Sequence, residues 1–561
     1  MNSRILRMMI AIIVPCIALA VMAGCQGGKS GDVAGGNFVQ KAPSGTTVRD
    51  TTKNSTVSTN DGTGDKDKYA EYAPKEGKKY DIAWTAFLSN PVSEDAKIIK
   101  YHNQKYNVNI NVWNLDKTKY SELLSLKFAS GEVPDLIRVE NSDYFLQYIN
   151  QDILAEVPEG VMAKYAPILY REFTSNFSDD FFMRHGGYGG KVYGIPQVMA
   201  WSDCRFPAVY RGDWLKKLGF DKAPETLDEF EIVMYKFTNE DPDGNNKPDT
   251  FGLSNTGMAA VFGAFGYIPS TNFKSITHEW QIRDGKLVYA AVQPEMKEAL
   301  RILNKWHKDG VLDPEFITGE NIGNQQAVSF IQGRIGFCSN GGWWAWNPPL
   351  PGRSEVAKLR VELEKSNLIA SESLVFGMPP TGPNGNRGLP MRNLFAARYC
   401  FGKHLEKEPD KLGKILQIID DISFGSYENS LTAYYGMKGE DWNYDEFGIG
   451  VAKDLKWSGA EAHKIGGHNI LRCVGETASA WKNPQSVLNW LNENLFREGG
   501  IRNEFLSALP SGGRFFTELD KLQAEAYIDI ITGSKPVDYF DEFVEKWRKS
   551  GGDILEKEAN Q

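Results

Sequence analysis

Residues 80–85, Tyr-Asp-Ile-Ala-Trp-Thr, begin the part of the sequence that decides the fold. This short apolar stretch predicts a strand, the stretch 94–106 predicts a helix, and Val108, Ile110 and Val112 alternate with Asn in a second predicted strand. A strand, a helix and a strand in this order are typical of a parallel sheet with helices packed on its faces.

The same alternation continues along the chain. A second helix is predicted over 117–130, and it ends at Gly131 before a strand at 135–139. Farther on, residues 226–229, Thr-Leu-Asp-Glu, have the spacing of a capping box, in which the Thr side chain accepts the Glu amide and the Glu side chain reaches back. The helix that it begins belongs to a second predicted α/β lobe.

Length and composition agree with this division. The chain has 561 residues, more than the roughly 250–300 that one hydrophobic core organises, so at least two lobes are expected. Apolar residues make up 41% and charged residues 24%, which is ordinary globular usage. The formal charge of −9 supplies no basic field for nucleic acid, so we expect no nucleic-acid partner.

The first 24 residues are typical of an export signal, with Arg4 and Arg7 before an apolar stretch at 8–21. Residues 22–25, Met-Ala-Gly-Cys, resemble the lipobox of bacterial lipoproteins, although Met stands where Leu is usual. The resemblance implies that Cys25 is acylated and holds the protein at the extracellular face of the cell membrane. The alternative is an ordinary secretory signal followed by a cysteine that carries no lipid.

Residues 25–78 are predicted to be a tether between the lipid and the folded part. The stretch 26–68 is rich in Gly, Ser and Thr and contains one aromatic residue, Phe38. Such a composition is typical of a flexible linker that lets a domain reorient. The remaining cysteines, Cys204, Cys338, Cys400 and Cys473, form no C-x-x-C pair, so we expect free, buried thiols rather than a zinc or redox site.

Several short segments together resemble the family 1 extracellular solute-binding proteins of ABC transporters, in particular the long lipoprotein branch near the alginate-oligosaccharide-binding proteins. The main segments are 129–136 Ala-Ser-Gly-Glu-Val-Pro-Asp-Leu, 192–196 Val-Tyr-Gly-Ile-Pro and 211–219 Arg-Gly-Asp-Trp-Leu-Lys-Lys-Leu-Gly. Similar strings follow at 330–336, 435–439, 530–533 and 551–553. Their order and spacing carry the resemblance more than any single string.

The resemblance implies a two-lobed α/β fold of the periplasmic-binding-protein type, in which crossing strands join discontinuous lobes. We expect lobe 1 to span 79–205 with about 385–455, and lobe 2 to span 206–384 with about 456–561. The crossings are expected near 204–209, near 379–391 and around 455. The implied function is capture of an oligosaccharide in the interlobe cleft and delivery to an ABC permease by a monomeric, non-enzymatic protein.

The stretch 241–249 has the spacing of a calcium loop. Oxygen side chains occupy loop positions 1, 3, 5 and 9, a carbonyl is available at position 7, and Ca²⁺ prefers such ligands. The predicted ligands of this structural calcium are Asp241, Asp243, Asn245, Lys247 and Asp249. The pattern departs from an EF-hand because position 12 is Gly252, and Thr250 stands where alginate-type relatives have an acid. The alternative is an Asx-rich turn after a helix.

Residues 341–346, Gly-Gly-Trp-Trp-Ala-Trp, are the strongest candidate for ligand contact. Indole faces match the C–H faces of pyranose rings, and glycine lets the backbone approach a ligand closely. The candidate ligand contacts are Trp343, Trp344, Trp346, Trp84, Trp201, Arg392 and Asn393. For each Trp the alternative is a place in a lobe core. Arg392 and Asn393 are candidates for hydrogen bonds to hydroxyl groups or, for Arg392, to a uronate carboxylate.

Catalysis finds little support in the sequence. His463 and His468 lack the acid of a zinc-protease pattern, and the Gly-rich stretch 185–190 lacks the ending that cradles phosphate. Two other functions stay open: a secreted glycan-processing enzyme on the same lipoprotein tether, and a binding protein for a peptide or another polar solute.

Overall fold

The computed structural model describes residues 68–561 with several gaps. The residues outside the description are 1–67, 141, 199–203, 319–323, 340–345, 347–357, 367, 447, 455–457, 475–497 and 508. The side chains of 324–327 and 358–361 lie outside it as well. The predicted signal peptide, Cys25 and most of the tether therefore fall outside the described residues. Of the helices within the described ranges, none combines the length and the apolar character needed to cross a bilayer.

The strands of the described residues form two main sheets and several short ribbons. They are β1 Tyr80–Thr85, β2 Val108–Trp113, β3 Leu136–Val139, β4 Gly187–Tyr188, β5 Lys191–Val192, β6 Gly194–Val198, β7 Ala208–Arg211, β8 Phe251–Leu253, β9 Trp280–Arg283, β10 Lys286–Tyr289, β11 Ile335–Cys338, β12 Leu374–Gly377, β13 Leu389–Pro390, β14 Phe395–Phe401, β15 Trp442–Tyr444, β16 Gly450–Ala452 and β17 Gly500–Ile501.

The α-helices alternate with these strands. They are α1 Lys97–Tyr106, α2 Tyr120–Ala129, α3 Ser142–Asn150, α4 Glu159–Tyr165, α5 Pro167–Asn176, α6 Phe181–Gly186, α7 Gly212–Lys217, α8 Leu227–Asn239, α9 Met258–Gly263, α10 Glu295–Lys308, α11 Asn324–Ile331, α12 Lys358–Lys365, α13 Ala370–Ser373, α14 Pro409–Asp420, α15 Tyr427–Tyr435, α16 Gly459–Lys464, α17 Gly512–Thr532, α18 Tyr539–Trp547 and α19 Asp553–Ala559.

The first sheet has five strands in the order β2-β1-β3-β14-β6. The strand, helix and strand predicted at its start are present as β1, α1 and β2, which pair in parallel from Tyr80↔Val108 to Thr85↔Trp113. Strand β14 runs antiparallel to both β3 and β6, so four strands point one way and one points back. The predicted α/β class is confirmed, with one antiparallel strand in an otherwise parallel sheet.

The second sheet has four strands in the order β12-β7-β11-β8. Strands β11 and β8 are parallel, whereas β7 is antiparallel to its neighbours β11 and β12. The predicted capping box is present at the start of α8, where Thr226 accepts the Glu229 amide and the Glu229 side chain accepts the Thr226 amide. The chain thus has the two-lobed α/β fold that the sequence predicts, with one sheet at the centre of each lobe.

Each sheet has its own apolar core. The core around the first sheet includes Ile82 and Ile195 and continues into the helix α14, whereas the core beside the second sheet includes Phe237 and Trp306 and continues into α17 and α18. Cys338, Cys400 and Cys473 are free, buried thiols, as expected, whereas Cys204 is only half-buried. Burial raises the pKa of the Cys338, Cys400 and Cys473 thiols well above the usual range.

The residues that follow the third expected crossing, at about 455, pack in a different lobe from the one that the sequence predicts. Ile470, Leu471, Cys473 and Val474 pack into the first core, although the expected second lobe begins at about 456. The sequence pattern gives no warning of this, because an apolar cluster of four residues fits either core. We therefore propose that lobe 1 includes 470–474 and that the third crossing lies at 498–501; the other expected boundaries stay predictions.

Candidate ligand-binding cleft

The connections between the sheets determine where a cleft lies. The first crossing leaves the carboxyl end of β6 and enters the amino end of β7, and the second leaves the carboxyl end of β12 and enters the amino end of β14. Because β7 and β14 run against their neighbours, both crossings join the carboxyl edge of one sheet to the carboxyl edge of the other. In α/β folds, ligands bind at the carboxyl ends of the strands. The geometry makes the space between the two carboxyl edges the candidate cleft.

Phe87 and Glu140 lie just past the carboxyl ends of β1 and β3 in the first sheet. The Phe87 ring is half-buried, with the Arg138 guanidinium 4.5 Å from its centroid. Arg138 in turn donates from Nη1 to Glu140 Oε1 at 2.6 Å. An aromatic ring beside an ion pair offers the two features that a sugar requires, a flat apolar face and hydrogen-bonding groups at its rim.

Arg398 of β14 is buried at the same edge and contacts residues from other parts of the chain. Its guanidinium donates to the carbonyls of His185 at 2.5 Å and Leu506 at 2.7 Å, and lies 4.7 Å from the centroid of Phe395. Burial lowers the pKa of Arg398 to about 10. Because its N–H groups bind backbone carbonyls, we assign Arg398 a structural role at this edge.

Ser254 and Ser339 follow the carboxyl ends of β8 and β11 in the second sheet. Both side chains are buried, and neither hydroxyl has a hydrogen-bond partner in the described structure. Asn255, beside Ser254, donates to the carbonyls of Thr271 and Phe316 at 2.5 Å and 3.1 Å. Small polar residues therefore follow the carboxyl ends of two strands at this second edge.

The predicted Trp contacts divide into two groups. Trp343, Trp344 and Trp201 lie outside the described residues, and their roles stay predictions. Trp84 is fully buried in the first core and donates from Nε1 to the Ile470 carbonyl at 2.9 Å. Trp346 is fully buried against Phe330, with ring centroids 5.8 Å apart. Trp84 and Trp346 are thus core residues, which is the alternative that the sequence analysis gives for each Trp. They offer no exposed indole face to a ligand.

Arg392 and Asn393 lie directly before β14, on the chain that returns from the second sheet. Asn393 is exposed and Arg392 is half-buried, and burial lowers the pKa of Arg392 to about 10. Both residues lie on the second crossing directly after Met391, which pairs with Arg205 of the first crossing. Their contact with a ligand stays a prediction.

The crossing segments themselves pair with one another. Strands β13 and β17 run parallel, and the amides of Leu389 and Met391 donate to the carbonyls of Gly499 and Ile501, both at 2.8 Å. The amide of Phe206 donates to the Pro390 carbonyl at 2.8 Å. Segments 205–206, 389–391 and 499–501 thus form a small interlobe ribbon, which we call the crossing ribbon.

The stretch 241–249 forms a tight exposed loop after α8. The Asn245 amide donates to Asp241 Oδ1 at 3.1 Å and to Asp243 Oδ1 at 3.2 Å, and the Asn245 side chain reaches Asp243 at 2.7 Å and Asp249 at 3.1 Å. Burial, and then the neighbouring carboxylates of Asp241 and Asp249, raise the pKa of Asp243. Crowded carboxylates of this kind are stabilised by a hard cation.

The donor set of this loop fits Ca²⁺, with one limit. The Thr250 hydroxyl donates to the buried Phe237 carbonyl at 2.9 Å and so faces away from the loop. The Lys217 ammonium donates to the carbonyls of Asp241 and Pro242 at 2.9 Å and 3.0 Å. Thr250 therefore adds no ligand to the five predicted ones, whose role stays a prediction.

Asp135, His404 and Glu408 form a second group whose ligand atoms lie within 4.8 Å of one another. The Lys411 ammonium lies 2.7 Å from Asp135 Oδ1, and His404 Nε2 lies 2.8 Å from the same oxygen. The Asp135 carboxylate already has cationic and hydrogen-bonding partners. It also precedes β3, at the end opposite to the carboxyl edge. We assign this group to an ion-pair network.

Sequence reasoning missed Phe87, Arg138 and Glu140. Phe87 follows the first predicted strand by two residues, and Glu140 directly follows the predicted strand 135–139. Both residues could have been predicted from the rule that ligands bind at the carboxyl ends of parallel strands. Selecting large aromatic side chains instead identified Trp84, which lies within a strand.

Comparison with known proteins agrees with this geometry. The model of the bacterial extracellular solute-binding protein family matches residues 97–348. The chain is 22% identical over 495 residues to lipoprotein LipO of Bacillus subtilis (strain 168), an alignment that covers 86% of this chain and 92% of LipO. It is 24% identical over 506 residues to the polygalacturonan/rhamnogalacturonan-binding protein YtcQ of the same organism, covering 88% of this chain and 94% of YtcQ.

A solved structure shows the same fold. The alginate-binding protein AlgQ2, in its crystal structure without calcium ion, superposes with a TM-score of 0.62 at 17% sequence identity. The superposition covers 86% of this chain and 99% of AlgQ2. At this identity the likeness concerns the fold, and it agrees with the two-lobed arrangement of the sheets.

Proposed function

We infer that this chain, which belongs to the bacterial extracellular solute-binding proteins, captures an oligosaccharide between its two lobes and delivers it to an ABC permease. The observation that carries the proposal is the arrangement of the crossings, which join the carboxyl edges of both sheets. Such an arrangement lets both lobes contact one ligand when they close and lets the ligand leave when they open.

The residues at the edges support a sugar as the ligand. Phe87 offers a half-buried ring, and the Arg138–Glu140 pair offers a donor and an acceptor beside it. The Trp343, Trp344 and Trp201 side chains, with Arg392 and Asn393, are proposed to complete the site. YtcQ, at 24% identity over nearly its whole length, is a polygalacturonan/rhamnogalacturonan-binding protein, which favours a plant-type oligosaccharide as the ligand class.

Capture in such a cleft requires no bond to be broken. Contacts from both lobes exist together only in the closed form, so a ligand shifts the open–closed equilibrium by its excess affinity for closure. We propose that the chain has no catalytic residues, and the two open alternatives, a glycan-processing enzyme and a peptide-binding protein, become outcomes of the test.

We also propose a lipid anchor at Cys25 and a structural calcium in the loop 241–249. The similarity to lipoprotein LipO supports the anchor, and the four oxygen-bearing side chains brought together in the loop support the ion. Two acyl signals hold a soluble domain at a membrane much better than one does. Calcium would tie the loop behind α8 and take no part in ligand contact.

A thermal-shift screen tests the function. The purified protein is heated with homogalacturonan, rhamnogalacturonan, alginate and fructan oligosaccharides and with a tripeptide mixture, because a ligand at a hundred times its dissociation constant adds about 2.7 kcal/mol of stability. We expect at least one oligosaccharide to raise the melting temperature and the peptides to have no effect.

Recovery of the bound oligosaccharide separates a receptor from an enzyme. After overnight incubation, mass spectrometry should find the oligosaccharide at its original length. Shortened products would favour the glycan-processing enzyme, and a shift with peptides alone would favour the peptide-binding protein.

A further inference from the structure

Arg205 is a buried arginine at the centre of the crossing ribbon, and no function has been assigned to it so far. Only 2% of the surface of Arg205 is exposed to solvent. The guanidinium donates to three backbone carbonyls, those of Phe206, Gly377 and Glu498, each at 3.1 Å. Met378 Sδ lies 3.4 Å from the same group.

These three carbonyls come from three different passages of the chain between the lobes. Phe206 belongs to the first crossing, Gly377 ends β12 at the start of the second, and Glu498 is the first residue of the third crossing proposed above. Gly377 and Glu498 lie 172 and 293 positions from Arg205 in the sequence, and one planar group holds both. A guanidinium suits this task because its donors are fixed in one plane, so the positions of its acceptors are fixed relative to one another.

The partners of Arg205 are backbone groups rather than a carboxylate. The Glu498 carboxylate pairs instead with Arg387. Burying a guanidinium without a salt bridge is costly, and here its hydrogen bonds to carbonyls compensate. Burial lowers the pKa of Arg205 to about 10, which leaves it charged at neutral pH.

We propose that Arg205 is the positioning residue of the hinge, whose guanidinium fastens the three crossing segments together so that they bend as one unit. Without it, each segment bends separately, and the lobes sample twisted arrangements in which the carboxyl edges no longer face each other. The inference rests on the proposed function in one respect: closure of the lobes is the step by which an oligosaccharide is captured.

The test measures the hinge directly and without ligand. Donor and acceptor dyes are attached through unnatural amino acids at two exposed positions, Lys100 in α1 and Asp228 in α8, on the full chain. Single-molecule energy transfer then gives the distribution of interlobe distances. We expect Arg205→Met to widen this distribution at least twofold and Arg205→Lys to widen it less, because Lys keeps the charge but loses the planar set of donors.

Arg387→Met is the matched control. It removes an arginine of the second crossing whose ion pair with the Glu498 side chain is exposed, and exposed ion pairs contribute little free energy. Its distance distribution should equal that of the wild type. Hydrogen exchange provides the second measurement: the amides of Phe206, Leu389 and Met391 should exchange at least tenfold faster in Arg205→Met, while amides of β1 and β11 keep their wild-type rates.

A wild-type distance distribution in Arg205→Met would overturn the proposal. So would exchange that accelerates equally in β1, β11 and the ribbon, because that result indicates a general loss of stability. If Arg205→Met does not fold, Arg205→Lys decides: a wider distribution with unchanged exchange in β1 and β11 supports the proposal, and a wild-type distribution overturns it. Because no ligand is present, either result leaves the oligosaccharide screen to be judged separately.

Discussion

The indole of Trp84 fills the centre of the first core, and its N–H group donates to the carbonyl of Ile470. Replacing it by Ala removes a fully buried aromatic side chain, which costs about 3–5 kcal/mol of unfolding free energy. Urea unfolding should show this loss in Trp84→Ala. The same change at half-buried Phe87 should cost less. Equal stabilities of Trp84→Ala and the wild type would contradict the placement of Trp84.

His102 gives the protein a pH-dependent stability. It is buried in α1, with Nδ1 2.8 Å from the Ile98 carbonyl, and burial lowers its pKa to about 4. Below pH 6.5 the unfolded chain binds a proton that the folded chain refuses, so the free energy of unfolding falls as the pH drops from 6.5 to 4. This pKa shift lowers the free energy of unfolding by roughly 3 kcal/mol once the pH is below both pKa values.

The measurement is urea unfolding at pH 5.0 and 7.5 for the wild type and His102→Gln. The wild type should lose stability at pH 5.0, and His102→Gln should lose less. Between pH 7.5 and 8.5 neither protein should change through this residue, since His102 is then neutral in both states. A loss at pH 5.0 that is the same in both proteins would rule out the contribution of His102.

At the scale of elements, the loop 241–249 carries the clearest prediction. Calcium should raise the melting temperature of the wild type, and a chelator should reverse the effect, because the ion binds the folded loop alone. Asp243→Asn removes the negative charge of one proposed ligand and should raise the calcium concentration needed for the same rise in melting temperature at least tenfold. Asp228→Asn, at an exposed acid of α8, serves as the control and should respond like the wild type. No response to millimolar calcium in the wild type would contradict the site.

The order of the elements could be predicted because it depends on local patterns. The alternation at 108–112, the helical spacing before Gly131 and the capping box at Thr226 each depend on residues within one turn or strand. The roles of Trp84 and Arg205 could not be predicted in this way. Trp84 is fixed by a carbonyl 386 residues away and Arg205 by carbonyls 172 and 293 residues away, and the sequence does not show which distant segments meet.

At the scale of the whole molecule, the proposed anchor decides where the protein works. Cys25→Ala removes the only thiol of the lipobox-like stretch 22–25 and should release the protein from the membrane into the culture medium. Fractionation with a detergent phase separation would show this as a loss of the detergent-soluble form. A Cys25→Ala protein that stays with the cells as fully as the wild type would contradict the anchor.

The central claim is that the carboxyl edges of the two sheets form an oligosaccharide site, and titration calorimetry tests it most directly. The oligosaccharide with the largest thermal shift is titrated into the wild type, Phe87→Ala and the control Tyr101→Ala, whose ring is exposed on α1. A stacked aromatic contact contributes about 0.5–1.5 kcal/mol, so Phe87→Ala should bind up to about tenfold more weakly and Tyr101→Ala should bind like the wild type. Absence of binding of every oligosaccharide to the wild type, or equal affinities of the wild type and a folded Phe87→Ala, would contradict the account.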